Sequence, residues 1–319
     1  MSAMQIFKLP SPDSGTDSGT DSGTDSGTDS GTHNKKETIS VCHFPSTKKE
    51  APIFHWAHAN GFNAQTYSPL LAPLATACEV YASDLRGHGH STLAADPATL
   101  QGWEVYRDDL LVLLAHLHDK HRQKIWLGGH SMGGFASLYA AIARPDLVAG
   151  LVLADPVILP PYLSYSWARH FIAHLMKRST PVLLEAAALR RRVLWDSIAQ
   201  ITAAYKGRGA FTNWQDGFLQ AYLEGGLLPE NDKRRLACAP AWEAANYRIT
   251  KTNLHHEIKK LTMPFTLLLA QYGSTTSNIR AFQAAKSDKI IEVVAGTSHF
   301  LPMENPAKLR AAILHRLTQ

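Results

Sequence analysis

The chain predicts an α/β domain: a mostly parallel sheet with helices on both faces, interrupted once by a helical cap. Three observations lead there. From residue 52 onward, short apolar runs alternate with longer periodic segments; the alternation stops at Pro160-Pro161 and resumes near residue 263; and Gly129-His130-Ser131-Met132-Gly133 stands between an apolar run and a helical one.

The N-terminal region comes first. Gln5-Ile-Phe-Lys-Leu9 and Glu37-Thr-Ile-Ser-Val-Cys-His-Phe44 read as strands on either side of DSGT repeated five times, from Asp13 to Thr32. The tract has no apolar residue to bury, so residues 1–36 are expected to be one short strand plus a disordered repeat. Such a tract fits an expanded hairpin loop, because closure entropy grows slowly with loop length. The spacing of its aspartates matches no calcium loop, and a solvated linker is the simpler reading.

Next come IFHWAH, then Gln65 to Ala77, EVYAS, Trp103 to His118, KIWLGG, Ser131 to Ala143 and GLVLAD, an alternation of strands and helices. Residues 160–262 hold helical segments such as PVLLEAAALRRRVLWDSIAQITAAY and no clear buried strand. PFTLLLA and KIIEVVAG then restore the strand pattern. The division expected is a core of residues 37–159 and 263–319 and a helical lid of residues 160–262.

Composition limits the function classes. The 319 residues are 45% apolar, enough for a large core, and the net charge is +5. Leaving out the five aspartates of the repeat raises the remainder to +10, of which residues 160–262 supply +7, with 15 Lys and Arg against 8 Asp and Glu. That surplus fits a solvated helix surface, or a preference for anionic substrates or membrane surfaces. No basic stripe interleaved with aromatics points to nucleic acid. Cys42, Cys78 and Cys238 are far apart and show no metal-ligand spacing, which suggests buried thiols in a reducing compartment. The N-terminus lacks the apolar region of a secretory signal, and no stretch approaches a membrane span, so a soluble, cytoplasmic protein is expected.

The chemistry centres on Ser131. The sequence around it fits G-x-S-x-G, after the strand KIWLG and before the helical SMGGFASLYAAIA. A sharp strand-to-helix turn forces the serine into an unfavourable backbone conformation, where side chains two positions away on either side would collide. The helix N-terminus beneath it favours negative charge.

With Ser131 placed, the chain from residue 37 to the C-terminus resembles the α/β-hydrolase superfamily. HANGFNAQTYSPLLAPLA from His58 resembles the HGxG loop after the third strand, DLRGHGHS from Asp84 the loop after the fourth, and SHFLPMENP from Ser298 the histidine loop after the last. The resemblance implies an oxyanion hole from the backbone N–H groups of Met132 and Asn60. Ala59 stands where the family usually has glycine, a mild departure because the donor is main chain. It also implies His299 as general base, with turnover falling at low pH as the imidazole takes a proton. Of the 16 histidines, His58, His88, His90 and His130 lie in loops near the same edge and read as structural hydrogen-bonders. The pairs His116/His118 and His255/His256 have no matching ligand set, so neither metal nor cofactor is expected.

The usual acid position is empty, for after PFTLLLA the chain reads QYGSTTSN. Asp155, at the end of GLVLAD, is the candidate to orient His299, because some superfamily members place the acid there. Asp155 could instead cap the start of the lid; Glu304 could serve the last helix, and Asp84 its own RGHG loop. The reading that results is a serine hydrolase with the triad Ser131, His299 and Asp155, cleaving a small-molecule carboxylic ester with an apolar acyl group through an acyl-enzyme. Epoxide hydrolases and haloalkane dehalogenases of this fold need Asp where Ser131 stands. Carbon–carbon bond hydrolases keep Ser-His-Asp and remain an alternative. So does a non-catalytic small-molecule binding protein of the same fold.

Overall fold

A computed structural model describes residues 3–11, 36–159, 180–249, 254–277 and 279–319. Eight strands form the main sheet: β1 (Gln5–Pro10), β2 (Thr38–Phe44), β3 (Ile53–Ala57), β4 (Glu79–Ser83), β5 (Ile125–His130), β6 (Val148–Ala154), β10 (Phe265–Tyr272) and β11 (Lys289–Ser298). Their order is β1-β2-β4-β3-β5-β6-β10-β11, with β1 and β2 antiparallel and every pair from β4 to β11 parallel. This is the α/β-hydrolase fold.

The central strands are covered on both faces, which is why they read as continuous apolar runs. Period-two alternation sorts their side chains into two cores. Leu151 and Leu153 of β6 and Leu267 and Leu269 of β10 face the helices Glu104–His121 and Met132–Ala143. Val152, Ala154, Leu268 and Ala270 face the other way, toward Leu309 and Ile313 of the helix Pro306–Leu317.

The N-terminal strands form the expected hairpin, with Gln5 opposite His43 and Pro10 opposite Thr38. The DSGT tract that joins them lies outside the described residues. Cys42, Cys78 and Cys238 are free thiols, each buried. Among the described residues, no helix is long and apolar enough to cross a membrane, and no three metal-ligating side chains converge.

The insertion is largely helical where it is described, with helices at Thr180–Leu189, Ile198–Tyr205, Phe218–Gly226 and Pro240–Arg248. It also holds a feature that periodicity does not reveal. Strands β7 (Leu194–Trp195), β8 (Leu227–Glu230) and β9 (Lys233–Leu236) make a small antiparallel sheet in the order β7-β9-β8. These strands are short, and β9 carries Lys233, Arg234 and Arg235, so no apolar alternation marks them. Leu254, Ile258 and Leu261 are buried with Phe265 and Phe282, as are Cys238 and Trp242.

Register sets the site. His130 pairs with Ala154 and Ala57 with Gly129, so β3, β5 and β6 end level with one another. The loops that leave them, together with the one after β11, converge on one edge of the sheet, where this class of fold binds ligands.

Candidate active site

Ser131 follows β5 with φ 57° and ψ −119°, a conformation that costs a non-glycine residue about 1–3 kcal/mol. The surroundings impose it. Its N–H donates to Ala154 O at 3.2 Å, and its carbonyl accepts from Phe135 and Val157. A Cβ on Gly129 would lie 2.5 Å from Gly133 O, and one on Gly133 would lie 2.3 Å from Ala57 O. These are the collisions expected two positions on either side of the serine. Ser131 thus stands at the N-terminus of the helix Met132–Ala143, 7% exposed, with its hydroxyl at the sheet edge.

His299 and Asp155 meet it there. The Ser131 hydroxyl lies 2.9 Å from His299 Nε2, and His299 Nδ1 lies 2.6 Å from Asp155 Oδ2. A carboxylate only accepts, so Nδ1 carries the proton and Nε2 is left to accept from serine. Asp155 is fully buried and sits at φ 44°. Five donors reach its two oxygens, the Thr275 hydroxyl most weakly, at 3.4 Å from Oδ2. Oδ1 accepts from Ala270 N–H and the Ser274 hydroxyl, Oδ2 from His299 and Thr275 N–H. Burial alone would raise the carboxyl pKa; the hydrogen bond and charge interaction with His299, and the bonds from Ser274 and Thr275, outweigh it and hold Asp155 below its usual range.

The loop QYGSTTSN therefore has a role at the site that the sequence reading missed. It carries no acid. It donates to one from the neighbouring strand through Ser274 and Thr275, and Thr276 Oγ1 donates to Pro156 O at 2.7 Å. Hydroxyl residues in a loop carry no pattern of their own; the missing acid was the only signal. Glu304 does not reach the imidazole. Its carboxylate accepts from the N–H and hydroxyl of Ser298, which anchors the residue before His299. Asp84 accepts from the N–H groups of Ala64 and His90, as a residue organising its own loop would.

The loop after β3, where an oxyanion donor is expected, shows a clear division. Ala59 N–H donates to the Tyr67 hydroxyl at 3.2 Å, and Gly61 N–H donates to His88 Nε2 at 3.0 Å. Among the described residues, the Asn60 N–H between them has no acceptor, nor does that of Met132, the first of its helix. Asn60, Ser131, Met132 and His299 all line one cavity. His58 and His88 work only as neutral rings: each donates from Nδ1 to a carbonyl and accepts an N–H at Nε2. Burial pushes His88 down to about 4 and His130 to about 3.

The cavity, of about 1050 Å³, is walled by the main core and the insertion. Leu184, Trp195 and Phe211 come from the insertion, Trp103, Val157 and Phe300 from the core. One polar cluster interrupts the apolar wall beside the oxyanion loop. Arg191 pairs with Glu243 and donates to the Tyr222 hydroxyl at 2.6 Å; Tyr222 in turn donates to Gly61 O at 3.3 Å. Asn60 Nδ2 donates to Glu243 O at 3.0 Å. The insertion thus grips the oxyanion loop directly.

Known proteins resemble this chain in sequence and fold. The chain is similar to 2-(acetamidomethylene)succinate hydrolase of Mesorhizobium japonicum, 26% identical over 268 residues that cover 81% of this chain and 85% of that protein. It is also similar to Lipase LipV of Mycobacterium tuberculosis, 26% identical over 253 residues, 75% of this chain and 83% of that one. Among solved structures, E-2-(acetamidomethylene)succinate hydrolase superposes with a TM-score of 0.71 at 23% identity, covering 89% of this chain and 96% of the other. The model of the alpha/beta hydrolase family matches residues 55–312, and the chain belongs to that family.

Proposed function

We propose that this hydrolase cleaves a neutral carboxylic ester with an apolar acyl group through an acyl-enzyme on Ser131. One observation carries the reading: a strained serine hydroxyl 2.9 Å from an imidazole that is itself held 2.6 Å from a buried carboxylate. Ser131 Oγ attacks the acyl carbon while its proton passes to His299 Nε2. Asp155 accepts from Nδ1–H throughout and stabilises the imidazolium. The N–H groups of Met132 and Asn60 donate to the oxyanion, whose collapse expels the alcohol with the proton from His299. Water then attacks the acyl-enzyme with His299 as base, and the carboxylic acid leaves.

The charges on the cavity wall bear on the substrate. The relative from Mesorhizobium japonicum supports a second reading, hydrolysis of a substituted succinate. An anionic substrate needs cations not already compensated. Here Arg191 is engaged with Glu243, Arg192 pairs with Asp196, and Arg190 is exposed to screening solvent. The rest of the wall is mostly apolar, with neutral polar groups such as Asn246, Ser274 and Ser277, which favours the neutral ester. The insertion, residues 160–262, would then act as the lid over the acyl group.

The test is a ladder of p-nitrophenyl esters of graded chain length beside substituted succinates, with fluorophosphonate labelling of Ser131. Turnover of the esters, abolished together with labelling in Ser131→Ala, is expected. Ester turnover that persists in Ser131→Ala, or a preference for the succinates, overturns the reading.

A further inference from the structure

His130, the residue before the nucleophile, is fully buried and makes two side-chain hydrogen bonds. Its Nε2 lies 2.7 Å from the carbonyl oxygen of His299, and its Nδ1 lies 2.8 Å from the hydroxyl of Tyr67, also fully buried. The direction of every proton follows. The His299 carbonyl can only accept, so Nε2 carries the hydrogen. A neutral ring then has a bare Nδ1, which must accept from Tyr67 O–H. The Tyr67 oxygen is left to accept, and it receives the Ala59 N–H at 3.2 Å. One directed chain therefore runs from Ala59 N–H through Tyr67 and His130 to the carbonyl of His299. Its first residue precedes the Asn60 donor, and its last carries the imidazole that faces Ser131.

We propose that His130 and Tyr67 are positioning residues that fix the oxyanion loop and His299 relative to each other. The two parts leave different strands, β3 and β11, and no strand pairing joins these. The base and the Asn60 N–H act on the same tetrahedral centre, so an error in their separation is felt in the transition state. Small displacements there are costly, because catalysis depends on geometry to within a fraction of an ångström. A buried apolar side chain at position 130 would fill the space and leave both loops tied only to their own neighbours. The proposal rests on the serine-hydrolase reading for its kinetic consequences and on the hydrogen bonds alone for the tautomer.

The experiment has one arm for each. Nitrogen-15 NMR of the full chain should show His130 as the neutral Nε2–H tautomer, and the Nδ1–H tautomer or a protonated ring would overturn the assignment even if no substrate were ever found. In ester turnover, His130→Ala should lower kcat roughly 10- to 100-fold, with KM changed less than about twofold, and Tyr67→Phe should lower kcat by less. His130→Gln keeps an N–H donor near the Nε2 position and should recover most of the lost kcat. Equal losses in His130→Ala and His130→Gln, or an effect confined to KM, would overturn the positioning role. Should His130→Ala fail to fold, Tyr67→Phe, which removes a single oxygen, decides: unchanged kcat refutes the chain. A wild-type enzyme that fluorophosphonate does not label sinks the hydrolase reading and leaves the tautomer arm intact.

Discussion

Replacing Asp155 by Asn changes one oxygen to an amide and should disable the site without unfolding the protein. The structure says what the amide meets. Both carboxylate oxygens accept only, Oδ1 from two donors and Oδ2 from three. The NH2 group must therefore face donors in either orientation. Placed at the Oδ1 position, it confronts Ala270 N–H, whose bond is 3.2 Å long, and the Ser274 hydroxyl, which can rotate to accept. Placed at Oδ2, it confronts Thr275 N–H and forces His299 into the tautomer that cannot take the serine proton. The first orientation keeps the tautomer and loses the charge that stabilises the imidazolium; the second loses both. Turnover should therefore fall by roughly 10²- to 10⁴-fold. One buried N–H left unsatisfied should cost about 1–3 kcal/mol of stability. Ester turnover measured beside thermal unfolding checks both numbers. Near-normal turnover in Asp155→Asn, with Glu304→Gln or Asp84→Asn inactive instead, would refute the reasoning.

Gly133→Ala places a Cβ 2.3 Å from Ala57 O and 2.4 Å from His58 O, two backbone atoms that cannot step aside. A loss of several kcal/mol by overpacking is expected in denaturant titration, and an unchanged midpoint would show that the elbow is looser than its contacts imply. Acid should destabilise the fold. His88 and His130 are pushed down to about 4 and about 3 in the fold, against an ordinary 6.5, so between those values the unfolded chain binds the extra protons. Stability is then fully present above about pH 6.5 and falls as pH drops toward 4, by roughly 2 kcal/mol for each of the two at pH 5. A melting temperature flat from pH 7 to pH 5 would contradict their neutral, buried roles. Deleting Asp13 to Thr32 should leave melting temperature and turnover nearly unchanged, because the tract has no apolar residue to contribute to packing. A fall of more than a few degrees would show that the repeat contributes to packing.

What could be read in the sequence follows from what leaves a pattern. Strands buried on both faces leave apolar runs, and a strained strand-to-helix turn leaves glycines at fixed offsets, so the sheet and Ser131 were legible. His299 and Asp155 were candidates through the superfamily resemblance, each in a loop after a recognisable strand, and the structure brings both to Ser131. The small sheet of the insertion was not, since Arg234 and Arg235 project from short strands that bury little. Leu254, Ile258 and Leu261 read as part of the insertion because a single helical turn, His255–Ile258, carries too few residues to show whose core it joins. Ser274, Thr275 and Tyr67 reach the site through hydrogen bonds to residues more than 60 positions away, which no local spacing encodes.

The empty acid position has a geometric resolution. β6 and β10 are neighbours in register, with Ala154 opposite Leu268, so their C-terminal ends open onto the same histidine. One buried carboxylate can occupy that space; a second, at Ser274, would put like charges within hydrogen-bonding distance. With Asp155 directly after β6, the loop after β10 is left to supply what a buried carboxylate needs in order to stay ionised. It does so with one hydroxyl from Ser274, one N–H from Thr275 and one from Ala270 at the strand's end. The residues that seem to have lost a catalytic group are thus the ones that hold the carboxylate of the adjacent strand in place.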